Sequence, residues 1–153
     1  MFVSLIVILC LVLLNGLFAM GELALISARR ARLAILSRDG TAGADRALKL
    51  AGDPQSFLPT VQIGMTLVSI LEGTFGGSSI EAGVSHWLAR IPALRSIADE
   101  VAMLLVVSAI TAVMLVLGEL VPKQIALRQP ELIAARLSLL LEWMAWVTRP
   151  VVW

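Results

Sequence analysis

From Met1 to Gly21 the chain is apolar and carries no charge, and the pattern continues past Glu22 to Ala28 before the basic run Arg29, Arg30 and Arg32. A bilayer crossing takes about 20 predominantly apolar residues, so this stretch predicts a first membrane helix. A cleaved leader would start with positive charge and have a shorter apolar core. No Lys or Arg precedes Arg29, which predicts a retained helix. A second uncharged stretch runs from Pro54 to Leu71 and extends toward Ile80, diluted by Gln55, Ser56, Pro59, Gln62, Gly64, Thr66 and Ser69. Such a segment is costly against lipid but packs well against other helices. Asp53 reads as its N-cap and Pro54 as its first helical residue, and Ser69, Gly73 and Gly77 form a small-residue stripe. The third run, Val101 to Gly118, is 18 residues rich in Val, Leu, Ile and Met, and it ends in Gly118-Glu119-Leu120-Val121-Pro122-Lys123.

Between the first two spans, the pattern predicts short helices over Arg29 to Arg38, stopped by Asp39-Gly40, and over Ala42 to Ala51, stopped by Gly52. Leu33, Ile35, Leu36, Leu48 and Leu50 give them apolar positions suited to the membrane surface. After the third span, Arg136, Glu142 and Arg149 interrupt the apolar pattern and Trp143, Trp146 and Trp153 cluster. That predicts a helix over residues 132–153 lying in the interface with its tryptophans at headgroup level; a fourth crossing is the alternative. The expected fold class is an all-α membrane protein: three transmembrane helices plus short juxtamembrane amphipathic helices, forming one domain over residues 1–153.

Composition agrees with a membrane protein. Of the 153 residues, 59% are hydrophobic and 15% charged, against about 45–50% and about 25% in soluble domains. The net charge of +1 does not call for nucleic acid. Cys10 is the only cysteine, so no disulfide framework or thiolate metal site can form, and it reads as a lipid-facing or packed thiol. Charge also sets orientation. Arg29, Arg30, Arg32, Arg38, Arg46 and Lys49 follow the first span, and Lys123, Arg128, Arg136 and Arg149 follow the third. Only Arg90 and Arg95 follow the second. Positive charge stays cytoplasmic, which predicts the N-terminus outside and the C-terminus inside.

The chemistry lies in the acids. Each predicted membrane helix carries one, Glu22, Glu72 and Glu119, and an intramembrane carboxylate is read as functional by default. Helical spacing places each in a polar stripe: Asn15 with Glu22, Gln62 with Thr66 and Ser69 beside Glu72, and Ser108 with Glu119, flanked by Thr111. Three such stripes can converge on one oxygen-rich site. Pro122 has no N–H to give the Gly118 carbonyl, so a free carbonyl is expected one residue from Glu119, a pairing that suits a hard cation. Plainer readings stand beside this one. Glu119 and Lys123 are spaced as an i, i+4 ion pair, Glu22 can be structural near Arg29 or Arg30, and His86 beside Trp87 reads as interfacial. No nucleophile and base pair or nucleotide loop points to an enzyme.

Phe18 to Ala24 (Phe-Ala-Met-Gly-Glu-Leu-Ala) followed by Ser27, then Gln62-Ile63-Gly64, then Gly118-Glu119-Leu120-Val121-Pro122-Lys123 resemble the transmembrane domain of the CorC/CNNM family, also called DUF21. The resemblance covers essentially the whole chain. It implies a homodimer in the cell's inner membrane, exporting magnesium with sodium entry as the coupling, and continuing into cytoplasmic paired CBS domains that bind adenine nucleotide. ATP would enter only through those domains, and no organic cofactor is expected in this chain. Position by position, Glu119 matches the family's third-helix acid, Pro122 its kink and Gly64 its second-helix glycine. The candidate metal-binding residues are Glu119, Gly118, Ser69, Thr66, Gly64 and Glu22; Asn15, Gln62, Glu72 and Ser108 are further polar positions in the membrane. Met65, Thr66 and Ser69 stand where magnesium members have asparagines, and Ala19 and Gly21 where they have serines. Carboxylates with fewer oxygen ligands suit an organic dication, and some bacterial relatives are linked to polyamine efflux. Two alternatives follow: an exporter of organic cations such as polyamines, or a membrane anchor and dimerisation platform for cytoplasmic domains.

Overall fold

The computed structural model describes the backbone of residues 2–152 and their side chains apart from residues 2–4, 56, 75–79 and 148–152. Gly77 of the small-residue stripe, Arg149 and Trp153 therefore fall outside the described side chains. All regular structure among the described residues is helical.

Helix α1 (Phe2–Ser27) is an unbroken apolar rod of 26 residues, about 39 Å long at 1.5 Å per residue. It ends before Arg29, whose backbone is extended and starts α2 (Arg30–Arg38). The expected stop at Asp39-Gly40 is present, with Gly40 at φ 75. Helix α3 (Ala44–Gly52) starts two residues later than the pattern suggested, because Gly43 takes the left-handed conformation at its N-cap. The Arg30 guanidinium donates to the Ala51 and Gly52 carbonyls at 2.8–3.1 Å, tying the start of α2 to the end of α3. Those are carbonyls left unpaired by the helix itself.

Helix α4 (Pro54–Leu88) starts at the expected proline but runs 35 residues, past Ile80, since no proline interrupts it between Pro59 and Pro92. Turns over residues 89–97 lead into α5 (Ala98–Leu115), where Leu88 packs with Ala98 and Ala102. A π-helical turn over Val116–Leu120 follows, then α6 (Val121–Arg128) and α7 (Pro130–Val152).

Three apolar spans were expected, and among the described residues two segments qualify: Leu5–Ser27 and Ala98–Arg128 are long and apolar enough to cross a membrane. Helix α4 has the length, but Gln62, Thr66, Ser69, Glu72 and Thr74 dilute its apolar pattern. The same holds for α7, which carries Arg136 and Glu142.

Helix α1 is central, touching α4, the π turn, α6 and α7. The main core joins Phe18 and Leu25 to Phe57, Val61, Leu141 and Met144. Helix α7 presents Ala134, Ser138 and Leu141 inward at spacings of four and three, while Leu139, Trp143 and Trp146 stay exposed. Its docking uses gaps left by glycine. A Cβ at Gly21 would lie 2.9 Å from Leu141, and one at Gly64 would overlap Met144. Gly73, by contrast, meets no described residue within 4 Å, so among the described residues it makes no helix contact.

The two left-handed glycines separate conformational strain from packing. A Cβ at Gly40 meets nothing, whereas one at Gly43 would overlap the Ala135 carbonyl and lie 2.7 Å from Ser138 Oγ. Gly40→Ala is expected to cost about 1–2 kcal/mol from backbone strain alone. Gly43→Ala should cost about 2–5 kcal/mol, because overpacking adds to the strain. Thermal unfolding of the two variants in detergent checks this ordering.

Candidate functional site

One polar cavity forms where α1, α4 and the α5–π segment meet. Its volume is about 250 Å³, and it is lined by Asn15, Gln62, Met65, Thr66, Ser69, Thr111, Met114, Leu115 and Glu119. Gln62, Thr66 and Ser69 reach it together because steps of four and three return to one face of a helix. The Thr66 hydroxyl donates to the Gln62 carbonyl at 2.8 Å and the Ser69 hydroxyl to the Met65 carbonyl at 2.9 Å. With those protons used on the helix's own backbone, both oxygens keep only acceptor capacity.

The π turn shapes the opposite wall. Its Val121 N–H bonds the Val116 carbonyl, five residues back, and Pro122 follows with no N–H to offer. The carbonyl of Gly118, expected to be free, instead accepts a hydrogen bond from Asn15 Nδ2 at 3.3 Å. Asn15 is 5% exposed, and its Oδ1 is buried with no hydrogen-bond partner among the described residues. The freed carbonyl thus anchors the amide of α1 and leaves an unpaired acceptor at the cavity wall.

A π turn accommodates one extra residue, which rotates the helix face by about 100° relative to an α-helical count. That accounts for a shift in the third stripe. Ser108 lies eleven residues before Glu119 and would share its face in a regular helix, but Thr111, eight residues before it, lines the cavity instead. Ser108 is exposed. Hydropathy carries no signal for the π turn; only the Gly-x-x-x-Pro spacing of Gly118 and Pro122 hints at it.

The three acids part company. Glu119 lines the cavity and accepts from Lys123 Nζ at 2.6 Å, so the i, i+4 ion pair and the cavity position coexist in one residue. Glu22 is half-buried on α1 and does not line the cavity. Glu72 is 1% exposed and does not line the cavity, and among the described residues neither carboxylate oxygen has a hydrogen-bond partner. Gly64 is buried against Met144 and does not reach the cavity either. Among the described residues no three of His, Cys, Asp and Glu come together as metal ligands. A cation here would meet one carboxylate and the neutral oxygens of Asn15, Gln62, Thr66, Ser69 and Thr111.

The chain matches the CNNM family, described as the cyclin M transmembrane N-terminal domain, over residues 5–153. A UPF0053 protein of Synechocystis is 44% identical over 143 residues, 94% of this chain and 32% of its own length. The polyamine export protein of Escherichia coli K12 is 29% identical over 150 residues, 98% of this chain and 33% of its own. A UPF0053 protein of Bacillus subtilis is 28% identical over 151 residues, 99% and 34% respectively. The chain thus spans about a third of the length of these relatives.

Asn15→Ala leaves a buried carbonyl unpaired and is expected to cost about 1–3 kcal/mol. Exposed Ser108→Ala should stay within about 0.5 kcal/mol. Melting temperatures of both variants in one detergent check the contrast.

Proposed function

The chain belongs to the CNNM family of transmembrane N-terminal domains, and from that premise we propose that it is the membrane part of a cation transporter whose cargo is Mg²⁺. The observation that supports this most is the cavity in which Glu119 faces acceptor oxygens from two other helices. Its volume of about 250 Å³ matches about eight waters at about 30 Å³ each. Mg²⁺ gives up its water reluctantly and is usually bound with several waters retained, so a partly hydrated ion suits the space better than a bare one. Na⁺ entering the same oxygens serves as the coupling ion. The reading includes a homodimer in the inner membrane, with α4 as a third crossing, the N-terminus outside and the C-terminus inside. Nucleotide acts only through CBS domains beyond this part of the protein.

A second reading, polyamine export, is favoured by one specific contact. The Lys123 side chain already places an alkylammonium on Glu119 at 2.6 Å, which is the chemistry a diamine would use after displacing Lys123. The Escherichia coli relative bears that activity in its name.

Ligand stabilisation separates the readings. Mg²⁺ at a hundredfold excess over its dissociation constant should stabilise the purified protein by about 2.7 kcal/mol, seen as a rise in melting temperature. Glu119→Gln should remove most of that rise. Stabilisation by putrescine but not by Mg²⁺ would transfer the site to organic cations, and no response to either would leave an anchoring role.

A further inference from the structure

The two segments apolar enough to cross a membrane end at Ser27 and Arg128. A second cavity, of about 670 Å³, opens between those two ends. Its walls include Arg29, Arg32 and Arg128 together with Ile35, Leu127 and Leu132. The arginines come from two separate parts of the chain, the α1–α2 junction and the end of α6, so only the fold gathers them.

Charge inside the cavity is unbalanced. Its one carboxylate, Glu131, is buried, accepts the Arg29 backbone N–H at 3.3 Å, and lies 4.0 Å from Arg32 Nη1. Three guanidinium groups against one carboxylate leave two positive charges over. Arg30, between Arg29 and Arg32 in sequence, takes no part, since its guanidinium is committed to the Ala51 and Gly52 carbonyls. The basic run is therefore divided: one arginine closes α3, and its two neighbours face the cavity.

The apolar part of the lining says what kind of anion fits. Ile35 is 55% exposed and Leu127 is 58% exposed, large side chains beside a cationic cavity at the boundary where the apolar segments stop. A soluble anion gains nothing from them, whereas a phosphate attached to acyl chains does. Arginine forks match phosphate oxygens, and the volume lies within the usual range of small-molecule sites, about 300–1,000 Å³. We propose that this cavity is a binding site for the phosphate headgroup of an anionic phospholipid, with Arg29, Arg32 and Arg128 on the phosphate and Ile35, Leu127 and Leu132 along the start of the acyl chains. The site is distinct from the cation cavity and does not depend on which cation is carried.

The test measures melting temperature of the purified chain in mixed micelles titrated with phosphatidylglycerol, phosphatidylcholine or inorganic phosphate. Phosphatidylglycerol should stabilise at lower concentration than phosphatidylcholine, and inorganic phosphate should not match it. Arg128→Gln should raise the half-maximal concentration about fivefold, with Arg29→Gln as the second variant if that one does not fold. Arg95→Gln, in the loop between α4 and α5, should leave it unchanged. Equal stabilisation by both lipids, or equal weakening by Arg95→Gln, overturns the proposal. Inorganic phosphate matching phosphatidylglycerol would assign the site to a soluble anion, and a polyglutamate peptide matching it would assign the site to an acidic protein segment; either result also overturns it.

Discussion

The polar cavity around Glu119 depends on the close approach of α1 to the π turn. A Cβ on Gly16 would lie 3.0 Å from Pro122 and 3.4 Å from the Leu117 carbonyl. A Cβ on Gly118 would lie 3.5 Å from the Val12 carbonyl. Between them the Asn15 amide holds the Gly118 carbonyl. In a bilayer, helices gain little from hiding apolar surface from one another, so close packing of small residues and interhelical hydrogen bonds hold them together. That contact sets where Glu119 sits relative to α4, and it leaves another side of α1 to receive α7.

The charged minority is divided by the same fold into separate tasks. Arg30 closes the end of a short helix, Glu131 holds the entry to α7 against Arg29 and Arg32, and Lys123 neutralises Glu119 at the cavity. Glu72 has no such partner among the described residues. An isolated buried carboxylate is expensive unless it is paired or neutral, which makes Glu72 the polar group whose retention the packing explains least. The molecule presents one acceptor-rich cavity among α1, α4 and α5, and one cation-rich cavity where the apolar helices end.

Much of this was legible along the chain. Charge-free runs marked the apolar segments, Pro54 marked the start of α4, and Asp39-Gly40 marked the end of α2, each for a local backbone reason. Helical spacing was enough to put Gln62, Thr66 and Ser69 on one face and to single out Asn15 and Glu119. Residue spacing could not reveal that Gly21 and Gly64 receive Leu141 and Met144, because a glycine inside a helix reads equally as flexibility, contact or ligand. Nor could it place Thr111 ahead of Ser108, since the count of 3.6 residues per turn fails across the π turn.

By itself, then, the sequence determined the helical class, the apolar segments, the polar stripe on α4 and the Glu119–Pro122 block, all of which follow from periodicity and backbone chemistry within a few turns. The tertiary structure alone decided which stripes meet, which glycines are packing sockets, that the Gly118 carbonyl belongs to Asn15, and that Arg128 joins Arg29 and Arg32. Each of these is a contact between residues far apart in sequence. Their positions depend on how whole helices pack and on one extra residue in a turn, and local pattern contains neither.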